Sequence, residues 1–229
     1  MQIKDVPWLV ATAGAPVPDT ETSKHVRESR NWPYLRSFSG MQPPLMQSGP
    51  PDNNCRTEHD LLGERDVPSG ALYGVQTLRA LENFPISGTT VGEFPTLVAA
   101  LASVKEAAAL ANEELGLLEP RIARAIVGAA ERLRGGQHSS QFPVDMIQGG
   151  AGTSTNMNAN EVIANLALES LGLERGTYEV IHPNNHVNLS QSTNDVYPTA
   201  VKLALHASIS ELQSAMSALA GAFLQKGEE

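Results

Sequence analysis

The feature that most constrains the fold is a long apolar stripe in the last quarter of the chain. Seven apolar residues recur there at steps of three or four positions, the spacing of one helical face: Val201, Leu205, Ile209, Leu212, Met216, Leu219 and Phe223. The stripe predicts a helix from about Tyr197 to Gln225. A helix of this length depends on packing of its apolar face. We expect its partner helices to be missing from the chain or to come from other subunits.

Three shorter helices are predicted upstream of the stripe. The first follows Pro95, and its apolar face consists of Leu97, Leu101, Val104, Ala108, Ala111 and Leu115. The second begins at Pro120 and ends at Gly135. The third begins just after Thr155 and ends at Leu171, with Val162, Leu166 and Ala167 on its inner face. The chain is therefore predicted to be mainly α-helical.

The first 55 residues differ from the rest in composition. They hold eight of the 15 prolines and both tryptophans, and no helical or alternating period persists in them. We predict a mostly disordered extension over residues 1–55; a mis-assigned translation start is the alternative. The remaining chain divides into an N-terminal domain over residues 56–195 and the first long helix of a bundle over residues 196–229.

Composition excludes several classes of function. A formal net charge of -9 argues against a nucleic-acid or anionic-membrane partner, although a local pocket can still bind an anion. No run approaches the roughly 20 apolar residues of a membrane span. The single cysteine, Cys55, excludes an intrachain disulfide framework, so a cytoplasmic location is the simplest expectation.

One segment combines glycines with small hydrogen-bonding side chains ahead of a predicted helix. Residues 149–156 read Gly-Gly-Ala-Gly-Thr-Ser-Thr-Asn. Glycine permits close backbone approach, and a helix N-terminus favours negative charge. Thr153, Ser154 and Asn156 add side-chain donors, so this first donor loop suits a carboxylate or a phosphate. An ordinary capped loop is the alternative; the spacings of a Walker loop and a Rossmann fingerprint are both absent.

A second segment has the same character. Residues 191–195 read Gln-Ser-Thr-Asn-Asp and precede the long helix. Neutral donors hold a carboxylate without the cost of burying a cation. This second donor loop and the first are interpreted as two halves of a carboxylate pocket, and a simple capping loop is again the alternative.

Four segments in fixed order resemble the N-terminal half of the aspartate ammonia-lyases. They are residues 73–84, 149–161, 182–188 and 191–195, and the resemblance extends from Thr57 to about Lys226. Fumarases of the same aspartase/fumarase superfamily are similar, with Gly-Ser-Gly-Thr-Gln-Ser-Asn at the first donor loop and Ser-Ser-Asn-Asp at the second. The Ala-Gly-Thr-Ser-Thr and Gln-Ser-Thr-Asn spellings of this chain follow the aspartate ammonia-lyases instead.

The resemblance implies a fold and a reaction. The expected fold is the superfamily's N-terminal domain followed by the start of its central bundle of long helices, in a homotetramer. The expected reaction is a cofactor-free anti elimination of ammonia from L-aspartate to give fumarate, and no metal-binding residue is expected in this chain. A base removes a β-proton, and preorganised donors stabilise the doubly charged aci-carboxylate that forms. The alternative within the superfamily is a fumarate hydratase.

The resemblance also assigns site residues. Thr153 is expected to contact the substrate, and Ser192, Thr193 and Asn194 to hold a carboxylate or the amino group. Ser154, Asn156 and Asn158 are expected to support them. A secondary dicarboxylate site near the surface is expected at His182, Asn184 and Asn185.

The family's base-bearing serine loop and its Thr-His segment have no counterpart in these 229 residues. We therefore expect a truncated chain in which no residue is the catalytic base and no complete active site forms. An alternative of another class is a catalytically inactive fragment that retains dicarboxylate binding or subunit association.

Overall fold

The computed structural model describes residues 54–228, and helices dominate this part of the chain. Five α-helices follow one another: α1 (Val75–Asn83), α2 (Pro95–Glu114), α3 (Pro120–Arg134), α4 (Thr153–Ser170) and α5 (Thr193–Glu228). The predicted mainly helical class is therefore confirmed. The predicted extension lies outside the described residues except for its last two positions, and the proposed domain division stays a prediction.

A β-hairpin precedes the helices. Strand β1 (Cys55–Asp60) pairs antiparallel with β2 (Gly63–Pro68), and Gly63 adopts φ +111° at the turn. The sequence does not predict this hairpin, because Glu58 and Val67 are the only buried side chains in its strands and no apolar alternation marks them. The hairpin is joined to α1 by a bidentate ion pair between Arg79 and Asp60 at 2.7 and 2.8 Å.

Helix α4 forms the centre of the packed region. It contacts α1, α2, α3, α5 and a short turn with π-helical hydrogen bonding, Pro183–Val187. Val162, Leu166 and Ala167 are buried as predicted, but burial extends to almost every residue from 155 to 168. A helix surrounded by neighbours has no solvent face, so no single apolar stripe is required.

The predicted face of α2 is correct only in its first half. Leu97 and Leu101 are buried, whereas Ala111 and Leu115 are exposed. The second half of the helix instead buries Lys105, Ala109 and Asn112. The reason is that this half packs against a polar backbone segment: Asn112 Nδ2 donates to the carbonyl of Leu189 at 3.0 Å.

Both donor loops give way to helix earlier than predicted. Helix α4 begins at Thr153 and α5 at Thr193, although the sequence predicted starts just after Thr155 and near Tyr197. In α5 the carbonyl of Ser192 already accepts the N–H groups of Asp195 and Val196, each at 3.0 Å. Pro198 then lies inside the helix, where it has no N–H to donate to the carbonyl of Asn194.

The two helix starts pack directly against each other. Gly152, the residue before α4, has φ +83°, and a Cβ atom at this position would overlap the ring of Tyr197 on α5. Glycine is therefore required both by the backbone conformation and by the close approach of the two helices.

Beyond Ala204, α5 is exposed along its described length. Leu205, Ile209, Leu212, Met216, Leu219 and Phe223 retain 55–71% of their accessible surface. The predicted long helix with an uncovered apolar stripe is thus confirmed for residues 54–228. Within this range, no helix combines the length and apolar character that crossing a membrane requires.

The contrast between the core and the stripe can be measured with two matched leucine substitutions. Leu101→Ala, at 0% exposure, is expected to lower the free energy of unfolding by about 2–5 kcal/mol. Leu212→Ala, at 59% exposure, is expected to change it by less than about 1 kcal/mol in the monomeric 229-residue chain, where no other subunit covers the stripe. Urea unfolding followed by circular dichroism measures both. Equal losses would mean that the stripe is buried in solution by another chain.

The close packing at Gly152 leads to a second prediction about the free energy of unfolding. Gly152→Ala must place a methyl group against Tyr197 in a left-handed conformation, and is expected to lower the free energy of unfolding by about 1–3 kcal/mol. Gly128→Ala, inside α3, adds a methyl group that meets no other atom within 4 Å. It is the control and is expected to raise the free energy of unfolding by about 0.5–1 kcal/mol. Thermal unfolding separates the two; a stable Gly152→Ala variant would contradict the close approach.

Candidate active site

The first donor loop is shaped by its own polar residues. Gly150 and Gly152 both adopt positive φ, at +74° and +83°. The side chain of Gln148 donates to the carbonyl of Asp145 and to Thr155 Oγ1, and its Oε1 accepts the N–H of Thr155 at 2.8 Å. These bonds fold the loop back on the first turn of α4 and orient that turn.

A buried carboxylate anchors the base of this loop. Asp145 accepts the backbone N–H groups of Ile86, Ser87, Gly88 and Ile147, and the hydroxyl of Ser87 at 2.7 Å. Burial favours the protonated acid, but these hydrogen bonds outweigh it and lower the pKa of Asp145 well below its usual range. Asp145 is therefore an ionised anchor that fixes the loop.

Asn156 joins the two donor loops. It is buried in the first turn of α4, and its Nδ2 donates to Asn188 Oδ1 at 3.1 Å and to Thr193 Oγ1 at 3.0 Å. Because Thr193 Oγ1 accepts this bond, its own hydroxyl proton is left to be donated elsewhere. The structure thus brings Asn156 and Thr193 together, as the pocket interpretation requires.

The other predicted donors lie on the surface of the same two helix starts. Thr153 is exposed in the first turn of α4, and Ser154 beside it is half-buried. Ser192 and Asn194 are exposed at the start of α5, where Ser192 Oγ accepts the N–H of Asn194 at 3.2 Å. Ser190, just before them, holds the strained φ of +61° that turns the chain into α5.

A buried lysine lies under the second donor loop and was not predicted. Lys105 of α2 has 0% exposure, and its Nζ donates to Asn188 Oδ1 at 2.8 Å and to Gln191 Oε1 at 2.9 Å. Burial lowers the pKa of Lys105 to about 7. Asn188 Oδ1 also accepts hydrogen bonds from Asn156 and Asn160, so this one amide oxygen accepts three hydrogen bonds. We call Lys105, Asn156, Asn160, Asn188 and Gln191 the amide–lysine cluster.

The position of Lys105 in α2 follows the helical period of that helix. A cation on an apolar face is usually a sign of a specific partner, and that signal could have identified Lys105 in the sequence. Asn188 belongs to a segment already noted for its resemblance, but its contacts depend on α2 and α4 meeting at the loop that holds it. No local pattern encodes them.

Asn158 does not join the donor loops. Its Nδ2 donates to the carbonyl of Gln141 at 3.0 Å, which ties α4 to the short turn Ser139–Gln141. Any support that it gives to the site is therefore indirect, through the position of α4.

Glu161, the last residue of the segment 149–161, is hydrogen-bonded to the start of α1. Its carboxylate accepts the backbone N–H groups of Gly74, Gln76 and Thr77 and the Thr77 hydroxyl, between 2.6 and 3.1 Å. Burial raises the pKa of Glu161 to about 7 against the opposing effect of these hydrogen bonds. Glu161 therefore anchors the start of α1 to α4.

His182, Asn184 and Asn185 lie at a different place. His182 Nδ1 accepts the N–H groups of Asn184 and Asn185 at 3.0 and 3.3 Å, and burial lowers the pKa of His182. His182 lines two clefts of about 500 and 560 Å³ beside the hairpin, one shared with Asn184 and the other with Asn185. Neither donor loop contributes to the lining of these clefts.

The chemistry available at the junction of α4 and α5 is that of anion binding. Hydroxyl and amide donors lie at two helix starts, where the partial positive charge of the backbone adds to them. Within residues 54–228, no group of three or more His, Cys, Asp or Glu side chains is arranged to hold a metal ion.

Comparison with known proteins places the chain in a family. The chain is 56% identical over 174 residues to an aspartate ammonia-lyase of Pseudomonas canavaninivorans, covering 76% of the chain and 37% of that protein. It is 49% identical over 178 residues to the aspartate ammonia-lyase of Escherichia coli strain K12, covering 77% and 37%. The chain thus spans somewhat more than a third of the length of these curated relatives.

Comparison with solved structures leads to the same family as comparison with sequences. The crystal structure of fumarate lyase:delta crystallin from Brucella melitensis bound to cobalt matches with a TM-score of 0.75 and 56% identity, covering 76% of this chain and 38% of the other. The class II fumarase of Schistosoma mansoni matches with a TM-score of 0.61 and 41% identity, covering 66% and 31%. The sequence model of a family described as Lyase matches residues 63–229. The chain therefore belongs to this lyase family, and its fold is that of the aspartase/fumarase superfamily.

Proposed function

We propose that the protein is a carbon–nitrogen lyase that eliminates ammonia from L-aspartate to give fumarate. The observation that carries the proposal is the junction of the two donor loops, where Asn156 Nδ2 holds Thr193 Oγ1 at 3.0 Å and leaves the Thr193 hydroxyl to donate. Similarity to aspartate ammonia-lyases of 49–56% identity supports the choice of substrate.

In this reaction the donor loops stabilise negative charge. Removal of a β-proton turns the neighbouring carboxylate into an aci-carboxylate with two negative charges, and preorganised donors favour that state over the ground state. Thr193 donates from its hydroxyl, and Ser192 and Asn194 offer exposed polar groups next to it. Thr153 contributes from the first turn of α4, and Ser154, Asn156 and Asn158 support the arrangement.

The base is proposed to come from outside these loops. Ser192 Oγ already accepts a backbone N–H, and no carboxylate or histidine hydrogen-bonds to it within residues 54–228. We further propose a homotetramer in which the exposed stripe of α5 packs against helices of other subunits, and a cytoplasmic location.

His182, Asn184 and Asn185 are proposed as a secondary dicarboxylate site. Asn184 and Asn185 are exposed, and the Nδ1 atom of His182 is occupied as an acceptor, so its Nε2 is the atom that carries a proton to donate. The two clefts beside the hairpin give a small dicarboxylate access to it.

A fumarate hydratase is the second candidate. The lower identity to the fumarase of Schistosoma mansoni, at 41%, favours the ammonia-lyase over it. Assays of the full-length protein on L-aspartate and on L-malate decide between them through the ultraviolet absorbance of fumarate. If L-malate gives fumarate and L-aspartate does not, the proposed substrate is wrong and the protein is a fumarate hydratase. Fumarate from neither would favour a protein that only binds dicarboxylates or associates through α5.

The proposed role of Thr193 has its own test in the full-length protein. Thr193→Ala removes the donated hydroxyl and is expected to lower kcat for L-aspartate by roughly 100-fold or more. Thr193→Ser keeps the hydroxyl and is expected to retain most activity. Thr199→Ala, exposed on the next turn of α5, is the matched control and is expected to be unchanged. Full activity of Thr193→Ala would remove Thr193 from the site.

A further inference from the structure

Lys105 is a buried cation without a counter-ion among the described residues. Its ammonium group has two hydrogen-bond acceptors, Asn188 Oδ1 and Gln191 Oε1, and both are neutral amides. An ammonium ion taken out of water costs free energy that neutral dipoles only partly return, so buried lysines are normally paired with a carboxylate. Among residues 54–228, no carboxylate forms an ion pair with Lys105.

The acids on the elements packed around α2 are engaged elsewhere or exposed. Glu106, next along α2, faces Arg134 of α3 at 3.4 Å. Glu161 of α4 is hydrogen-bonded to the start of α1. Asp195 at the start of α5 is exposed to solvent. None of these groups is a cause of the pKa shift of Lys105, which comes from burial.

Lys105 is connected to the donor loops by a short chain of hydrogen bonds. Its Nζ donates to Asn188 Oδ1 at 2.8 Å. The same oxygen accepts a hydrogen bond from Asn156 Nδ2 at 3.1 Å, and this Nδ2 also donates to Thr193 Oγ1 at 3.0 Å. Its second bond, to Gln191, fixes the first residue of the second donor loop. The positive charge therefore lies directly behind the place where the loops offer donors to an anion.

We infer that Lys105 is a positioning residue of the carboxylate site: its buried ammonium orients the second donor loop through Asn188 and Gln191, and the bound dicarboxylate supplies its missing counter-charge. Lys105 does not touch the substrate in this arrangement. It acts through Asn156 and Thr193 and through its electrostatic field, which is weakly screened in a buried environment. The inference rests on the proposed function, because the anion in question is that substrate.

Dicarboxylate binding should then depend on pH. With the pKa of Lys105 lowered to about 7, the free protein loses this charge as the pH rises above 7. A bound dianion favours the charged form, so binding raises the pKa of Lys105 and takes up a proton. Affinity for a dicarboxylate is therefore expected to fall between pH 7 and pH 9. Glu161 also titrates near pH 7, so the variants must separate the two groups.

The test is isothermal titration calorimetry of the full-length protein with succinate, a saturated dicarboxylate that cannot undergo elimination. We expect wild-type affinity to fall from pH 7 to pH 9, with proton uptake seen as a heat that depends on the buffer. Lys105→Met is expected to bind roughly 5- to 150-fold more weakly at pH 7. Its affinity should no longer change with pH above 7, although Glu161 is retained. Lys202→Met, an exposed lysine of α5, is the control and should behave as wild type.

A second variant keeps the inference testable if Lys105→Met does not fold. Gln191→Glu places a carboxylate at the atom that Lys105 already contacts, and it loses the hydrogen bonds that Gln191 Nε2 donates to the carbonyls of Val187 and Leu189. Because the protein then supplies the counter-charge itself, succinate should bind more weakly at pH 7. The pKa of Lys105 should rise, so the remaining fall in affinity should move to higher pH. A wild-type affinity independent of pH, without proton uptake, would overturn the inference, as would wild-type binding by Lys105→Met. Failure of the wild-type protein to bind succinate at any pH would instead overturn the proposed function, and the inference with it.

Discussion

The contact on which the site depends is the meeting of two helix N-termini. Asn156 in the first turn of α4 holds Thr193 in the first turn of α5, and Gly152 lets the ring of Tyr197 approach. The positive ends of the two helix dipoles lie side by side there. This arrangement is unfavourable unless negative charge is brought between them. The fold therefore concentrates positive potential at one place, and that place is where an anionic substrate would bind.

The buried surface of α4 is unusual in being strongly polar. Five buried side chains carry amide or carboxyl groups and point in several directions: Asn156, Asn158, Asn160, Glu161 and Asn165. Each of them donates or accepts at least one hydrogen bond to another part of the chain. Because an unpaired buried polar group is costly, these bonds restrict how the neighbouring segments can be placed. The helix acts as a framework that fixes both donor loops relative to α1 and α2.

The long helix α5 has two roles along its length. Its first turns pack against α2 and α4 and carry Thr193, whereas the part beyond Ala204 exposes an apolar stripe. Exposed apolar surface of this extent is a feature of association sites. If the stripe packs in a homotetramer as proposed, then association also holds the start of α5 in position. Site geometry and assembly would then share one element.

Local sequence was enough to specify the helical class, the long helix and the two donor loops, because these depend on helical period, glycine and capping chemistry. It also carried the resemblance that the family comparisons bear out. The hairpin, the polar half of α2 and the cluster around Lys105 arise only from tertiary packing. Asn188, Lys105 and Asn156 come from three separate segments of the chain, and their contacts exist only once α2, α4 and the turn Pro183–Val187 have packed together. No local pattern specifies which amide a buried ammonium will meet.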